Sequence, residues 1–150
     1  MVEICLSSNA TILGVSGKQS PLHDYMKAGV PVAIATDDEG VSRSDMTHEY
    51  LRGVTEQNLS YTDLKRMART SIEHAFVAGN SLWKDGRTFV PLPECASLIA
   101  APSSKPSAAC QKLLDSSEKA LLQLKLEQQF AEFEARKWPP TTGSSKAAAQ

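Results

Sequence analysis

The sequence predicts an α/β fold built on a parallel βαβ unit, and three observations point to it. Residues 2–6 form a short apolar strand, interrupted only by Glu3. Residues 30–35 are continuously apolar rather than alternating, the pattern of a parallel strand buried on both faces. Between them, Ser20-Pro21 opens a helix, with Ser as N-cap and Pro at the first helical position, and Gly29 closes it. A strand, a crossover helix and a second strand are nearly always joined right-handedly.

The remaining elements follow in order. Ser7-Ser8-Asn9 ends the first strand, and residues 10–19 read as a loop containing Gly14 and Gly17. After a second loop over 37–44, Ser44 or Asp45 caps a helix with Met46, Tyr50 and Val54 on one face, which Asn58-Leu59 breaks. Ser60-Tyr61-Thr62-Asp63 resembles a capping box, with Asp in the place of the longer Glu or Gln. The next helix has the clearest periodicity: Leu64, Met67, Ala68, Ser71, Ile72, Ala75 and Phe76, ending at Gly79-Asn80. Four prolines make residues 85–106 an irregular linker. A single long helix is expected over 107–138, with Leu122, Leu126, Phe130 and Phe133 as its apolar stripe and Glu127, Glu132, Glu134 and Arg136 facing water. Phe130, Phe133 and Trp138 read as a packing face. The Pro/Ser/Ala-rich tail, 139–150, is expected to be disordered.

Composition narrows the function. With a net charge of −1 and interspersed charges, the 150 residues carry no broad nucleic-acid footprint. No apolar run approaches the ~18 residues of a membrane span. The first residues have neither the basic leader nor the apolar region of a signal peptide. Cys5, Cys95 and Cys110 form no C-x-x-C pair, which argues against a structural zinc module. Cys5 reads as a small buried hydrophobe. Cys95 and Cys110 are expected as free thiols, with a disulfide as the alternative in an oxidising compartment. Ser7, Ser8 and Ser42 lack nucleophile-elbow glycines, and Gly14 and Gly17 make no phosphate loop. His23, His48 and His74 each fall in a predicted helix without metal-ligand spacing, so they read as structural.

The candidate site is the acidic pair Asp37 and Asp38, where the second strand ends. In parallel α/β enzymes this end of a strand is where catalytic groups sit. Continued strand alternation would aim the two carboxylates differently, one at a metal and one at a ligand. The competing reading is a turn or a helix cap, for which Asp-Asp-Glu-Gly is equally suited.

At these residues the chain resembles the adenosine deaminase family of the metal-dependent hydrolase superfamily, in particular its bacterial members. Val2-Glu3-Ile4-Cys5-Leu6-Ser7-Ser8-Asn9 resembles the family's VE.C..SN strand. Ala28-Gly29-Val30-Pro31-Val32, followed by Thr36-Asp37-Asp38, resembles its next strand, and Thr47-His48-Glu49-Tyr50 the helix after it. Leu64-Lys65-Arg66-Met67-Ala68-Arg69-Thr70-Ser71-Ile72 with Ala75-Phe76 resembles the following helix. The order and spacing run through about residue 84.

The resemblance implies the last two strand–helix units of a (β/α)8 TIM barrel over residues 1–84, followed by a C-terminal helical extension. It implies a mononuclear zinc with Asp37 as a ligand and Asp38 hydrogen-bonded to the purine imidazole nitrogen. The implied reaction is hydrolytic deamination of adenosine to inosine with release of ammonia. The family's H-x-H, H-A-G-E and G-H-G segments are absent from these 150 residues, and Ser20 stands where the family usually has His. The chain is therefore expected to be a C-terminal portion, inactive without an N-terminal half of the barrel. Its compartment is cytoplasmic by default, or periplasmic or secreted if that half carries a signal. The alternatives are a non-catalytic helical interaction module with a vestigial acidic pair, or a related adenine or AMP deaminase.

Overall fold

The structure is a computed structural model that describes residues 1–137. Trp138 and the predicted tail, 139–150, lie outside the described residues. The expected βαβ unit is present. Strand β1 (Val2–Ile4) pairs in parallel with β2 (Val32–Ile34), with Val2 opposite Val32 and Ile4 opposite Ile34. All three residues of β2 are buried, as its unbroken apolar run requires. Among the described residues the two strands form an open parallel ladder, and no barrel is closed.

The first departure comes directly after β1. Residues Leu6–Leu13 are helix α1, where a loop was expected, and Gly14 ends it at φ +67°. Cys5 supplies no side-chain cap. Instead the Ser7 N–H donates to both oxygens of Glu49, at 3.1 and 3.2 Å. A carboxylate 42 positions away satisfies a first-turn donor and lies at the positive end of the helix. Local sequence carries no trace of that cap, which is why the helix was missed.

Helix α2 (Leu22–Lys27) follows, and Gly29 takes up φ +69° just beyond it, as expected of a terminating glycine. After β2 come the short α3 (Glu39–Ser42) and α4 (Met46–Gln57), the latter capped by Asp45 and closed by Asn58 at φ +52°. The inward face of α4 is Glu49, Gly53 and Gln57, and Met46 and Val54 are exposed. This corrects the predicted stripe, of which Tyr50 alone packs on the core. Gly53 permits a close crossing: a Cβ there would lie 3.1 Å from Ile34 Cδ1. The buried Gln57 is satisfied by the chain itself, since its Nε2 donates to the Gly17 carbonyl at 2.9 Å.

Helix α5 (Tyr61–His74) opens with the predicted capping box of Ser60 and Asp63. It stops short of Gly79, because Ala75 is extended, and Phe76 is left wholly in solvent. Ile4, Leu6, Leu22, Val32, Ile34, Leu59 and Met67 form the core beneath these elements.

The irregular linker expected over 85–106 is largely ordered. Strand β3 (Trp83–Asp85) runs into it and pairs antiparallel with β4 (Val90–Pro91), and α6 (Ala96–Ala100) follows. The single long helix is also corrected: α7 (Ala108–Ser116) and α8 (Glu118–Glu134) are separated by Ser117. Ser117 Oγ accepts from Ala120 N–H at 3.0 Å and donates to the Asn80 carbonyl at 2.6 Å, so a long-range contact anchors the break. The side of α8 that is buried is Ala120, Gln123 and Glu127. Of the predicted stripe, Phe133 stacks on Tyr61, with ring centroids 5.6 Å apart. A second core gathers Leu82, Cys95, Leu98, Cys110, Leu114 and Ala120, and Cys95 and Cys110 are disulfide-bonded rather than free. No described helix is long and apolar enough to cross a membrane.

Candidate active site

The C-terminal ends of β1 and β2 bring two short segments together. From the first come Cys5, Ser7 and Ser8; from the second, Asp37 and Asp38. Asp37 adopts a left-handed backbone at φ +59°, an unusual conformation that Asp tolerates better than most residues. Ser8 Oγ donates to its Oδ2 at 2.7 Å. Asp38 behaves differently: its Oδ1 accepts from the Val41 N–H at 3.0 Å, capping α3. The two carboxylates therefore do have separate partners. The cause is not strand alternation, because β2 ends at Ile34. It is the left-handed turn at Asp37 followed by the cap at Asp38.

Beneath this surface lies a network that sequence reasoning missed. Glu49 is fully buried. Besides Ser7 N–H, its Oε1 accepts from Ser44 Oγ at 2.9 Å. Arg52 Nη1 donates to Ser7 Oγ at 3.0 Å and is itself tied to Glu56 through Nε at 2.7 Å. Glu49 thus fixes the turn that carries Ser7 and Ser8, and Ser8 orients Asp37. The one sequence signal was a Glu on α4 whose helical position, one residue off the apolar stripe, faces the strands. Cys5 lies within the electrostatic reach of Asp37 and Glu49. Burial, then the charges of Asp37 and Glu49, push its thiol up, away from the thiolate form.

Two of the three histidines are held by hydrogen bonds. His23 Nε2 contacts the Gln57 carbonyl at 2.8 Å, and His48 Nδ1 contacts Ser44 Oγ at 3.1 Å. Among the described residues no three His, Cys, Asp or Glu side chains gather where they could hold a metal ion. One aspartate, with an oxygen already taken by Ser8, does not make a zinc site, which needs three or four protein ligands. These residues by themselves do not fit the metal.

Comparison with known proteins decides the affiliation. The family model described as adenosine deaminase matches residues 1–82, more than half of the chain. The chain belongs to the adenosine deaminase family. It is similar to the adenosine deaminase of Shewanella loihica, at 37% identity over 78 residues, 51% of this chain and 24% of that protein. The adenosine deaminase of Shewanella denitrificans is 35% identical over 78 residues, with 51% of this chain and 24% of that protein covered. That of Pseudoalteromonas translucida is 31% identical over 78 residues, covering 51% and 23%. The chain thus spans about a quarter of the length of these relatives, a partial adenosine deaminase family member. No solved structure matches the chain. The matched residues hold both parallel strands, α1 to α5 and the Asp37–Asp38 pair; β3, β4 and α6 to α8 lie beyond the match.

Proposed function

We propose that residues 1–82 supply the final two strand–helix units of a zinc-dependent purine nucleoside deaminase. The overall reaction is adenosine plus water giving inosine plus ammonia. The observation that carries this reading is the acidic pair at the C-terminal end of β2, with Asp37 held by Ser8, inside a family match that includes both. Asp37 is assigned as a metal ligand and Asp38 as the contact to the purine imidazole nitrogen. The other metal ligands and the proton-shuttling carboxylic acid come from polypeptide outside these 150 residues. On this reading the 150 residues alone do not deaminate adenosine.

The test is a graft. Residues 1–82 replace the matching stretch of the Shewanella loihica adenosine deaminase, and inosine and ammonia are measured. Formation of both from adenosine supports the reading. A folded chimera that takes up zinc yet leaves adenosine unchanged contradicts it.

The cap that Asp38 makes on α3 favours a second reading, a helical interaction module in which the pair is vestigial. Asp38→Asn separates the two, because Asn caps helices as well as Asp does but carries no charge. In the graft, the enzyme reading predicts lowered turnover at unchanged stability. The module reading predicts that neither moves.

A further inference from the structure

Residues 83–134 lie beyond the family match, and their crosslink has no part in the proposed chemistry. Cys95 ends a one-turn helix over Pro93–Cys95, and Cys110 lies in the first turn of α7, fifteen residues on. Neither cysteine has any exposed surface. Among the described residues, Leu82, Leu98, Leu114 and Ala120 complete the buried core around them, with the partly buried Ile99, Leu113 and Leu124 packed against it. So small a core is poorly able to hold a five-residue helix and a nine-residue helix without a covalent tie.

The tied segment leads through α7 into α8, which packs on both α7 and α5. Arg69 of α5 makes a two-pronged ion pair with the buried Glu127, at 2.7 and 2.6 Å. Its guanidinium also lies 5.4 Å from the Trp83 ring and 5.9 Å from the Phe130 ring. Gln123 holds the hairpin to the same helix, accepting from Leu82 N–H and donating to Glu73 Oε2, both at 2.7 Å.

We propose that the Cys95–Cys110 bridge is a lock set during folding, which fixes residues 83–134 against α5, requires an oxidising environment for maturation, and is shielded from reductant once closed. In closing, the two thiols lose two protons and two electrons. The acceptor is a small disulfide such as glutathione disulfide. One cysteine attacks it to give a mixed disulfide and release one thiol. The other cysteine displaces the second thiol and forms the sulfur–sulfur bond. Reopening needs a thiolate to approach one sulfur in line. Burial of both sulfurs denies that approach until α6 and α7 separate. The bridge is therefore a lock and not a rapid switch. Cys5, half-buried beside the other core, stays outside the exchange.

The test uses the full chain, folded in a mixture of oxidised and reduced glutathione, quenched with acid, unfolded in guanidinium and labelled with a maleimide. Intact mass should show one label, mapped to Cys5, and three after reduction in guanidinium. Incubation of the folded chain with a phosphine reductant should leave the count at one over minutes. In the Cys95→Ser/Cys110→Ser variant, trypsin should cut at Lys119 and Lys125 at least tenfold faster than in the oxidised chain. Three labels without reduction, or a label on Cys95 or Cys110, would overturn the proposal. So would immediate reduction of the folded chain, or unchanged trypsin protection in the variant.

Discussion

Glu49 caps a helix it does not belong to. Removing its carboxylate strands the Ser7 N–H in a buried site, while the Ser44 hydroxyl keeps His48 Nδ1. Each unsatisfied donor costs about 1–3 kcal/mol. Glu49→Ala is therefore expected to lower the unfolding free energy measured in urea by about that amount, and Glu49→Gln, which keeps one acceptor oxygen, by less. Ser8→Ala in the grafted enzyme is expected to lower zinc affinity by about 10–100-fold, the usual cost of losing a group that orients a ligand. Equilibrium dialysis against zinc checks it. The placement of Asp37 and Asp38 was legible in the sequence because a strand end and a turn are local features. The bonds from Ser8 and Glu49 were not, since each joins positions 29 or more residues apart.

At the scale of elements, helix termini were read more reliably than helix faces. The Ser60–Asp63 box, the Asp45 cap, and Asn58 and Gly29 as stops are written in a few adjacent residues. The faces of α4 and α8 were misjudged because each turns two polar residues inward: Glu49 and Gln57 in one, Gln123 and Glu127 in the other. A hydropathy stripe cannot reveal which carboxylate will find a buried arginine. Arg69→Met leaves Glu127 buried without its partner and is expected to cost about 3 kcal/mol in chemical denaturation. The outer end of the same interface is pH-sensitive. Lys65 donates to Glu134 Oε1 at 2.5 Å and Tyr61 donates to the same oxygen at 2.9 Å. First Lys65 and then Tyr61 hold the Glu134 carboxyl below its ordinary range. Its contribution is thus complete above the ordinary carboxylate pKa and is lost as pH falls through the depressed folded value. Burial, then the bond to Glu134, pushes the Tyr61 hydroxyl up to about 12, so its share is complete below the ordinary tyrosine value and is lost as pH rises through about 12. Protection of the α8 amides, corrected for the intrinsic pH dependence of exchange, should fall at both extremes relative to neutral pH. Protection at neutral pH unchanged by Lys65→Met would contradict this account.

At the scale of the whole molecule, two cores divide the chain near Leu82, where the family match also ends. The first half was legible because a βαβ unit declares itself by period and punctuation. The second was not: its hairpin and two short helices are specified by the disulfide and by anchors such as Ser117 to Asn80, which join distant positions. The same contact makes Gly79 irreplaceable. At φ +103°, an added Cβ would come within 2.6 Å of Ser117 Cα, so Gly79→Ala should unseat α8 and lower the melting temperature. Loss of the bridge across fifteen residues should cost about 3 kcal/mol in the second half. The functional claim rests on the first half. The measurement that tests it most directly is the zinc content of the grafted enzyme, by plasma mass spectrometry, with and without Asp37→Asn. The account predicts about one zinc per chain before the substitution and a loss of most of it afterwards, with turnover falling in step. Equal zinc and equal turnover in the two proteins would contradict the assignment of Asp37 as a metal ligand.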